Sequence, residues 1–194
     1  VNIMASNFGK TIQVSTFGAS QGYAIGGIVE GLPCGHTIDI DELQAFLKRR
    51  APGQNQLQTQ RKEADIPEFL SGMVEGMLSG SPLAFMIRNT SQHSGDYNNL
   101  RDIPRPSHAD FTARMRYGDK VDMRGGGHFS ARLTAPLCVA GGIAIQLLRE
   151  KGIEIHGHLK QVGTIQDTPI DMVHPDMKAL AEIATEPIAM VDAG

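Results

Sequence analysis

The stretch that decides the fold reads Arg-Gly-Gly-Gly-His-Phe-Ser-Ala-Arg at residues 124–132 and runs straight into the strongest helical pattern of the chain. That pattern covers residues 133–151, with Pro136 near its first turn and Lys151-Gly152 at its end. Three consecutive glycines let a backbone approach a ligand and turn its N–H groups towards an anion, although a flexible loop gives the same string. The run lacks the Gly-Lys-Ser/Thr of a P-loop and the spacing of a dinucleotide fingerprint.

A second informative stretch lies upstream and reads Arg-Pro-Ser-His-Ala-Asp at residues 105–110. The spacing from Ser107 to Asp110 has the S-x-x-D form of a capping box, which predicts a short helix that starts there and ends at about Arg116. His108 would lie in the first turn of that helix, and its imidazole is a candidate acid or base.

The rest of the chain alternates strand patterns with helical patterns, and predicted strands are often neighbours in sequence. The predicted strands are 11–16, 24–30, 69–75, 83–89 and 153–159. The further predicted helices are 39–50 and 178–185, and the polar loops are 54–65 and 92–106. Because no repeat or linker divides these elements, the sequence predicts an α+β fold in a single domain over residues 1–194.

The composition argues against several classes of function. A net charge of −3 over 194 residues gives no general attraction to nucleic acid or to an anionic membrane. No apolar run approaches the roughly 18 residues of a membrane span. Cys34 and Cys138 lack the Cys/His spacing of a metal site and are predicted to be free thiols in a reducing cytosol. We therefore expect a cytoplasmic globular protein with no metal, no nucleic acid and no membrane partner.

Two further loops concentrate polar groups. The loop 18–22 lies between two predicted strands and is either a hairpin turn or part of a site. The basic residues at 48–50 and 61–62 are either a solvated helix end, which the helix dipole favours, or a clamp for phosphate or carboxylate groups. From residue types alone, the sequence indicates a binder of a small, multiply charged anion with His108 as an acid or base.

Several segments resemble those of the chorismate synthase family, in order and in spacing, over about residues 8–165. They are Thr16–Gly22, Arg49–Gln54, Arg61–Asp65, Ser71-Gly72, Asp96-Tyr97, Arg105–Asp110 and Arg124–Ala135. The resemblance implies an α+β sandwich, with antiparallel sheets packed with helices, and a homotetramer. It also implies a carbon–oxygen lyase of aromatic amino acid biosynthesis at the last common step of the shikimate pathway. That lyase eliminates phosphate from 5-enolpyruvylshikimate 3-phosphate in an anti-1,4 sense to give chorismate, with reduced FMN (FMNH2) as cofactor and NADPH as a possible reductant.

The resemblance further implies roles for individual residues. The catalytic set is His108, beside the flavin, together with Ser20 and Gln21. The substrate-binding residues are Arg49, Arg50, Arg105 and Arg132. Part of the FMN site is formed by His128, Phe129, Ser130 and Ala131. No residue is assigned to a metal.

The match to the family departs from the common pattern at specific positions. Residues 18–22 read Gly-Ala-Ser-Gln-Gly where the family commonly has Gly-Glu-Ser-His-Gly, and Gln21 cannot carry a proton through the reaction as a histidine can. The other departures are Ala51, Gln56, His128 and Leu133. Family chains also run past residue 194, which implies a chain truncated at its C-terminal side and an incomplete sandwich. The alternative is a catalytically lapsed or truncated homologue that only binds flavin, substrate or a subunit partner.

Overall fold

The computed structural model describes residues 6–51, 64–90, 103–184, 186 and 188–191. The chain divides into two compact units, one up to Leu147 and one from Leu148 onwards. Some of the residues considered above lie outside the described residues, namely Gln56, the basic pair 61–62, the segment 96–97 and most of the predicted loops 54–65 and 92–106. That residues 1–194 form a single domain stays a prediction.

The first unit is built on an antiparallel sheet. Its strands are β1 (Asn7–Gly9), β2 (Gln13–Gly18), β3 (Ala24–Glu30), β4 (Pro67–Ser71) and, after a small hairpin of β5 (Met73–Val74) with β6 (Met77–Leu78), β7 (Leu83–Arg88). The order across the five-stranded sheet is β1-β2-β3-β7-β4. The helices are α1 (Ile40–Arg50), α2 (Asp110–Tyr117) and α3 (Thr134–Arg149), and two 3-10 turns lie at Arg124–Phe129 and Ala131–Leu133.

Two adjacent glycines in β3 explain how the sheet packs. A Cβ on Gly26 would lie 2.4 Å from the ring of Phe17, and one on Gly27 would lie 2.8 Å from the ring of Phe85. The missing side chains therefore leave room for one aromatic ring on each face of β3. On the buried face, Phe85 packs edge to face against Phe69, with ring centroids 6.2 Å apart.

Helices α1 and α3 supply apolar side chains to the same core as the buried face of this sheet. Leu43 and Leu47 of α1 and Val139 and Ile143 of α3 are buried, and each such side chain contributes about 1.5–3 kcal/mol on burial. The two helices are in close contact, since a Cβ on Gly142 would lie 2.5 Å from a Leu43 methyl carbon.

The start of α1 is fixed from two directions. Asp39 is its N-cap residue, and the carboxylate accepts a hydrogen bond from the N–H of Glu42 at 2.9 Å. The side-chain amide of Gln146, on α3, bonds both the N–H and the C=O of Asp39, each at 2.9 Å. The last turn of α1, which ends at Arg50, is therefore held in a defined place relative to α3.

The second unit contains a short hairpin and one helix among the residues that the structure describes. The hairpin pairs β8 (Gln161–Val162) with β9 (Ile165–Gln166), and the helix is α4 (Met177–Ile183). Asp176 caps α4 by accepting hydrogen bonds from two backbone N–H groups at 3.0 Å. The buried carboxylate of Asp167 accepts from the backbone N–H groups of Thr168 and Val191.

The predicted α+β class is confirmed, and the main helices and strands lie close to their predicted bounds. The strand predicted at 69–75 is divided at Gly72, whose positive φ of 82° turns the chain between β4 and β5. Cys34 and Cys138 are free thiols, and burial raises the pKa of the Cys138 thiol.

Two predicted features are wrong. Residues 153–159 are not a strand, because almost all of them are exposed and they do not pair with a neighbouring strand. The capping box at Ser107 does not form, because Ser107 has a φ of 60° and α2 begins only at Asp110. The N-cap of α2 is Ala109, and the carboxylate of Asp110 bonds to other side chains instead.

The span Arg124–Arg149 is long and apolar enough by composition to cross a membrane, with a mean hydropathy of 1.5. It is not one straight helix, because Gly125, Gly126 and Gly127 have non-helical backbone angles. Only α3, with 16 residues, is a continuous α-helix, and a span needs about 20. α3 contributes Ala135, Val139 and Ile143 to the core of the first unit.

Candidate active site

The glycine run 125–127 packs against the loop between β2 and β3. All three glycines have positive φ, at 59°, 91° and 55°, and residues other than glycine rarely adopt such backbone angles. The carbonyl of Gly127 accepts a hydrogen bond from the N–H of Ser20 at 3.0 Å. The run is therefore in direct contact with the loop 18–22.

Ser20 and Gln21 lie directly against the first of these glycines. Both residues are buried, at 5% and 3% exposure. A Cβ on Gly125 would lie 2.9 Å from Ser20 Oγ and 3.1 Å from Gln21 Nε2. Only a glycine lets the backbone come this close to the two polar side chains.

His108 lies against the next glycine. A Cβ on Gly126 would lie 3.0 Å from both Cε1 and Nε2 of the imidazole. On its other side, the imidazole donates from Nδ1 to the carboxylate of Asp110 at 2.9 Å. A histidine whose Nδ1 donates to a carboxylate presents Nε2 as the atom that exchanges a proton, and here Nε2 faces Gly126.

The carboxylate of Asp110 is itself held by Arg105. The backbone N–H of Arg105 donates to it at 3.0 Å, and the Nε and Nη2 atoms of the guanidinium each donate at 2.8 Å. These hydrogen bonds, with those of the side chain dominant, hold the pKa of Asp110 well below its usual range despite its burial. Arg105, predicted to bind substrate, thus fixes the carboxylate that orients His108.

The most concentrated charge of the site is a cluster of Arg50, Asp65 and Arg132. One carboxylate oxygen of Asp65 accepts from Nη1 of Arg50, and the other accepts from Nη1 of Arg132. The Asp65 side chain is fully buried, and those of Arg50 and Arg132 are 22% and 9% exposed. Two cations around one anion leave a net positive charge in a partly buried place, where charge acts more strongly than in water.

Asn89 joins this cluster to the loop of Ser20 and Gln21. Its Nδ2 donates to the carbonyls of Ala19 and Gly22, at 3.1 and 2.8 Å, and its Oδ1 accepts from Nε of Arg132 at 3.1 Å. A single buried amide therefore fixes the loop and one arginine at the same time.

Neither Asp65 nor Asn89 was predicted as a site residue from the sequence. Asp65 lies in the segment 61–65 that carries part of the family resemblance, and Asn89 ends a predicted strand. The position of a polar residue at the end of an apolar strand is the one sequence signal that could have indicated Asn89. No local pattern indicates the role of Asp65.

The four predicted flavin-site residues lie where the first 3-10 turn ends and the second begins. Ala131 offers its carbonyl to Nη2 of Arg50 at 3.3 Å, and Ser130 Cβ would lie 3.3 Å from a Cβ on Gly126. His128 donates from Nδ1 to the carbonyl of Gly18 at 2.9 Å. His128 and Phe129 also line a cavity of about 370 Å³ whose walls include further aromatic rings and one cation: Phe8, Tyr117 and Arg116.

Arg49 lies apart from its neighbour Arg50. It is exposed on α1, and its guanidinium carbon is 5.8 Å from the centroid of the Phe46 ring. Its predicted role in substrate binding stays a prediction. Among the residues that the structure describes, no group of three or more His, Cys, Asp or Glu side chains could hold a metal ion.

The fold and the site define an α+β protein in which a glycine run is lined by an imidazole and a serine–glutamine loop, beside a cluster of two arginines on one buried carboxylate. The family model described as chorismate synthase matches residues 12–192. The chain belongs to the chorismate synthase family, as the segments from 16 to 135 predicted.

Individual relatives agree with the family model. The chain is 46% identical over 178 residues to a chorismate synthase of Lancefieldella parvula, covering 91% of this chain and 47% of that protein. It is 44% identical over 193 residues to one of Bacteroides thetaiotaomicron, covering 93% of this chain and 54% of the relative. The chain therefore spans about half the length of the curated relatives it matches.

A solved structure gives the same fold. The crystal structure of a chorismate synthase superposes with a TM-score of 0.64 at 22% sequence identity, covering 94% of this chain and 49% of that one. The predicted fold class, an α+β arrangement of antiparallel sheets with helices, is confirmed by this match.

Proposed function

We propose that this chain forms the substrate side of a chorismate synthase active site. The reaction is the anti-1,4-elimination of phosphate from 5-enolpyruvylshikimate 3-phosphate: a C–O bond to phosphate and a ring C–H bond break, a new double bond forms, and chorismate and phosphate leave. The observation that carries this proposal is the convergence of Ser20, Gln21 and His108 on two adjacent glycines. The full enzyme is a cytoplasmic homotetramer in this proposal.

The arginine cluster meets the charge of this substrate. The substrate carries one phosphate and two carboxylates, and guanidinium groups bind such anions with directed, charge-assisted hydrogen bonds. Arg50 and Arg132 both pair with the carboxylate of Asp65, so these three side chains together carry a net positive charge. Arg105 acts through Asp110 on His108, and Ser20 adds a hydroxyl beside Gly125.

Reduced FMN fits the glycine run, since the absence of a Cβ at Gly126 lets the backbone and the imidazole of His108 lie side by side. Ser130 and Ala131 follow directly on that run, and His128 and Phe129 line the neighbouring cavity of about 370 Å³. When bound, the reduced flavin supplies electron density to the breaking C–O bond. The elimination itself consumes no redox equivalents, and NADPH or an outside reductant would serve only to bring the flavin to its reduced form.

His108 holds or delivers a proton at Nε2. Its tautomer is fixed because Nδ1 donates to Asp110, and the second nitrogen faces the glycine run where the ligands would lie. Gln21 lies at the position from which a family histidine would protonate the departing phosphate. An amide there can donate a hydrogen bond to the phosphate but cannot give up the proton.

The experiment that tests the proposal is Gln21→His in the full-length protein, with chemically reduced FMN and phosphate release as the measurement. A general acid contributes about 10²–10⁴-fold, so we expect kcat to rise within that range with little change in substrate affinity. Gln13→His is the matched control, because Gln13 is exposed at the start of β2 and the substitution makes the same chemical change outside the site.

Three outcomes separate the readings. If the natural sequence already turns over at the rate of Gln21→His, another group protonates the phosphate. If neither protein turns over while both bind flavin and substrate, the chain is a catalytically lapsed homologue, the alternative that Gln21 favours. If neither protein binds the substrate, the proposed function is wrong.

A further inference from the structure

We propose that Asp65 is a positioning residue: it holds Arg50 and Arg132 as one anion-binding pair before the ligand arrives. The inference rests on the proposed function in taking the phosphorylated substrate as the ligand. Asp65 itself is fully buried and contacts the anion only through the two arginines.

The geometry of the cluster carries the inference. The two arginines come from different parts of the chain, Arg50 from the end of α1 and Arg132 from the 3-10 turn before α3. Asp65 gives one oxygen to each of them. A carboxylate that bridges two guanidinium groups sets the distance between them, and like charges this close would otherwise separate.

The remaining contacts of each guanidinium fix its orientation. Nε of Arg50 donates to Thr134 Oγ1 at 3.2 Å, and its Nη2 donates to the carbonyl of Ala131 at 3.3 Å. Nε of Arg132 donates to Asn89 Oδ1 at 3.1 Å. Each arginine is therefore held at two or more of its nitrogens, and a long flexible side chain has lost its freedom before binding.

The backbone at Asp65 is also set for this role. Its φ of 48° lies in the left-handed region, which costs free energy for a residue with a Cβ and is kept only where surrounding contacts enforce it. The preceding carbonyl, of Ala64, accepts from the side chain of Gln44 on α1 at 3.1 Å. The backbone next to Asp65 is thus bonded to the same helix that carries Arg50.

A competing effect has the opposite sign. Asp65 reduces the positive potential of the pair, so its removal would strengthen the long-range attraction of an anion. We expect the positioning effect to be the larger one, because an arginine that is oriented in advance loses less conformational freedom when the anion binds. Without the carboxylate of Asp65, the pair of arginines would lose this fixed geometry.

The test is Asp65→Asn in the full-length protein, which keeps the shape of the side chain and removes its charge. We expect the Kd for 5-enolpyruvylshikimate 3-phosphate to rise about 10- to 100-fold by calorimetric titration, as for other residues that orient a ligand-binding group. KM should rise with it, while kcat at saturating substrate stays within about threefold, because the acid and base groups are untouched. Glu68→Gln is the matched control, because it removes one carboxylate charge from the exposed ion pair between Glu68 and Arg88. It should change the Kd by less than about twofold.

A second anion separates this inference from the proposed function. If the natural protein binds inorganic phosphate but not the substrate, the proposed function fails, and the phosphate affinity of Asp65→Asn still decides the role of Asp65. An unchanged or tighter affinity in a folded Asp65→Asn protein overturns the inference. If that variant does not fold, Thr134→Val replaces it, because Thr134 is exposed and the change removes the hydroxyl that accepts from Nε of Arg50, together with the bond of that hydroxyl to the Ala131 carbonyl. The expected change there is about threefold weaker binding, and equal affinity overturns the inference.

Discussion

The two buried carboxylates of the site, Asp65 and Asp110, are held by arginine in different ways. Asp65 lies between two guanidinium groups that come from positions 15 and 67 residues away in the chain. Asp110 accepts three hydrogen bonds from a single arginine five residues earlier, and it also accepts from His108. The first carboxylate joins distant segments, and the second completes a local turn.

This difference separates binding from proton transfer. Around Asp65, two cations on one anion leave charge for a ligand. Around Asp110, one arginine neutralises one carboxylate, and what remains is the fixed orientation of an imidazole. Changes on the Asp65 side should therefore alter affinity, and changes on the Asp110 side should alter turnover.

The largest effect should come from Asp110→Asn, which removes the charge that orients His108. An imidazole that has the wrong orientation or the wrong tautomer loses most of its effect as an acid or base. We therefore expect kcat to fall about 10²–10³-fold with KM nearly unchanged. Steady-state kinetics of the full-length protein measure this. Asp122→Asn is the control, because Asp122 is a partly exposed carboxylate that pairs locally with Arg124. A rise in KM with kcat unchanged would break the comparison.

A somewhat smaller effect is expected for Arg50→Ala on the other side. Loss of a charge-assisted hydrogen bond should weaken substrate binding by about 1.5–3 kcal/mol, measured by calorimetric titration. Lys48→Ala, in the same last turn of α1, is the matched control, since it removes the same charge from an exposed position. If both variants weaken binding equally, Arg50 acts only through general electrostatics and the basic end of α1 is merely solvated.

The same contrast explains what the sequence could predict. Local patterns predicted the helices at 39–50 and 133–151, because the apolar spacing and the end residues of each lie within the helix itself. Local spacing also placed His108 next to Asp110, although the capping box it suggested does not form. The prediction of a strand at 153–159 is wrong because alternating apolar and polar residues do not by themselves provide a partner strand, and these residues are mostly exposed.

The binding cluster could not be predicted in this way. Asp65, Asn89 and Arg132 meet only after β4, β7 and the 3-10 turns have packed, and Asn89 is 43 residues from Arg132. The spacing of apolar and polar residues along the chain does not indicate contacts between segments this far apart in sequence. The family resemblance predicted that the arginines bind substrate, and the structure adds the groups that hold Arg50 and Arg132 together.

The pH dependence of stability should distinguish the Asp110 side further. The pKa of Asp110 is lowered in the folded protein, chiefly by the side-chain hydrogen bonds from Arg105, so its stabilising contribution is complete above the unfolded value of about 3.8. It is lost as the pH falls below that value towards the folded pKa. In urea titrations, Asp110→Asn should be less stable than the natural protein by about 1.5–3 kcal/mol at pH 7, and the gap should shrink below pH 4. A gap that stays constant down to pH 2 would mean that the charge of Asp110 contributes nothing.

The smallest effects should come from the glycine run, where Gly125 faces Ser20 and Gln21 while Gly126 faces His108. Either residue changed to Ala should lose about 1–2 kcal/mol of stability, because both have positive φ. Gly141→Ala is the control, since Gly141 lies in α3 with open space around its Cα and should gain about 0.5–1 kcal/mol. Thermal denaturation measures all three.

The kinetics of the two glycine variants then divide the site. A methyl group on Gly126 would press on the imidazole at 3.0 Å, so Gly126→Ala should lower kcat in the direction of Asp110→Asn. One on Gly125 would press on Ser20 Oγ at 2.9 Å, and that loop is tied through Asn89 to Arg132, so Gly125→Ala should raise KM as well. Equal changes in kcat and KM for both variants would mean that the glycine run moves as one piece, and that the proton-transfer side and the binding side are not separate.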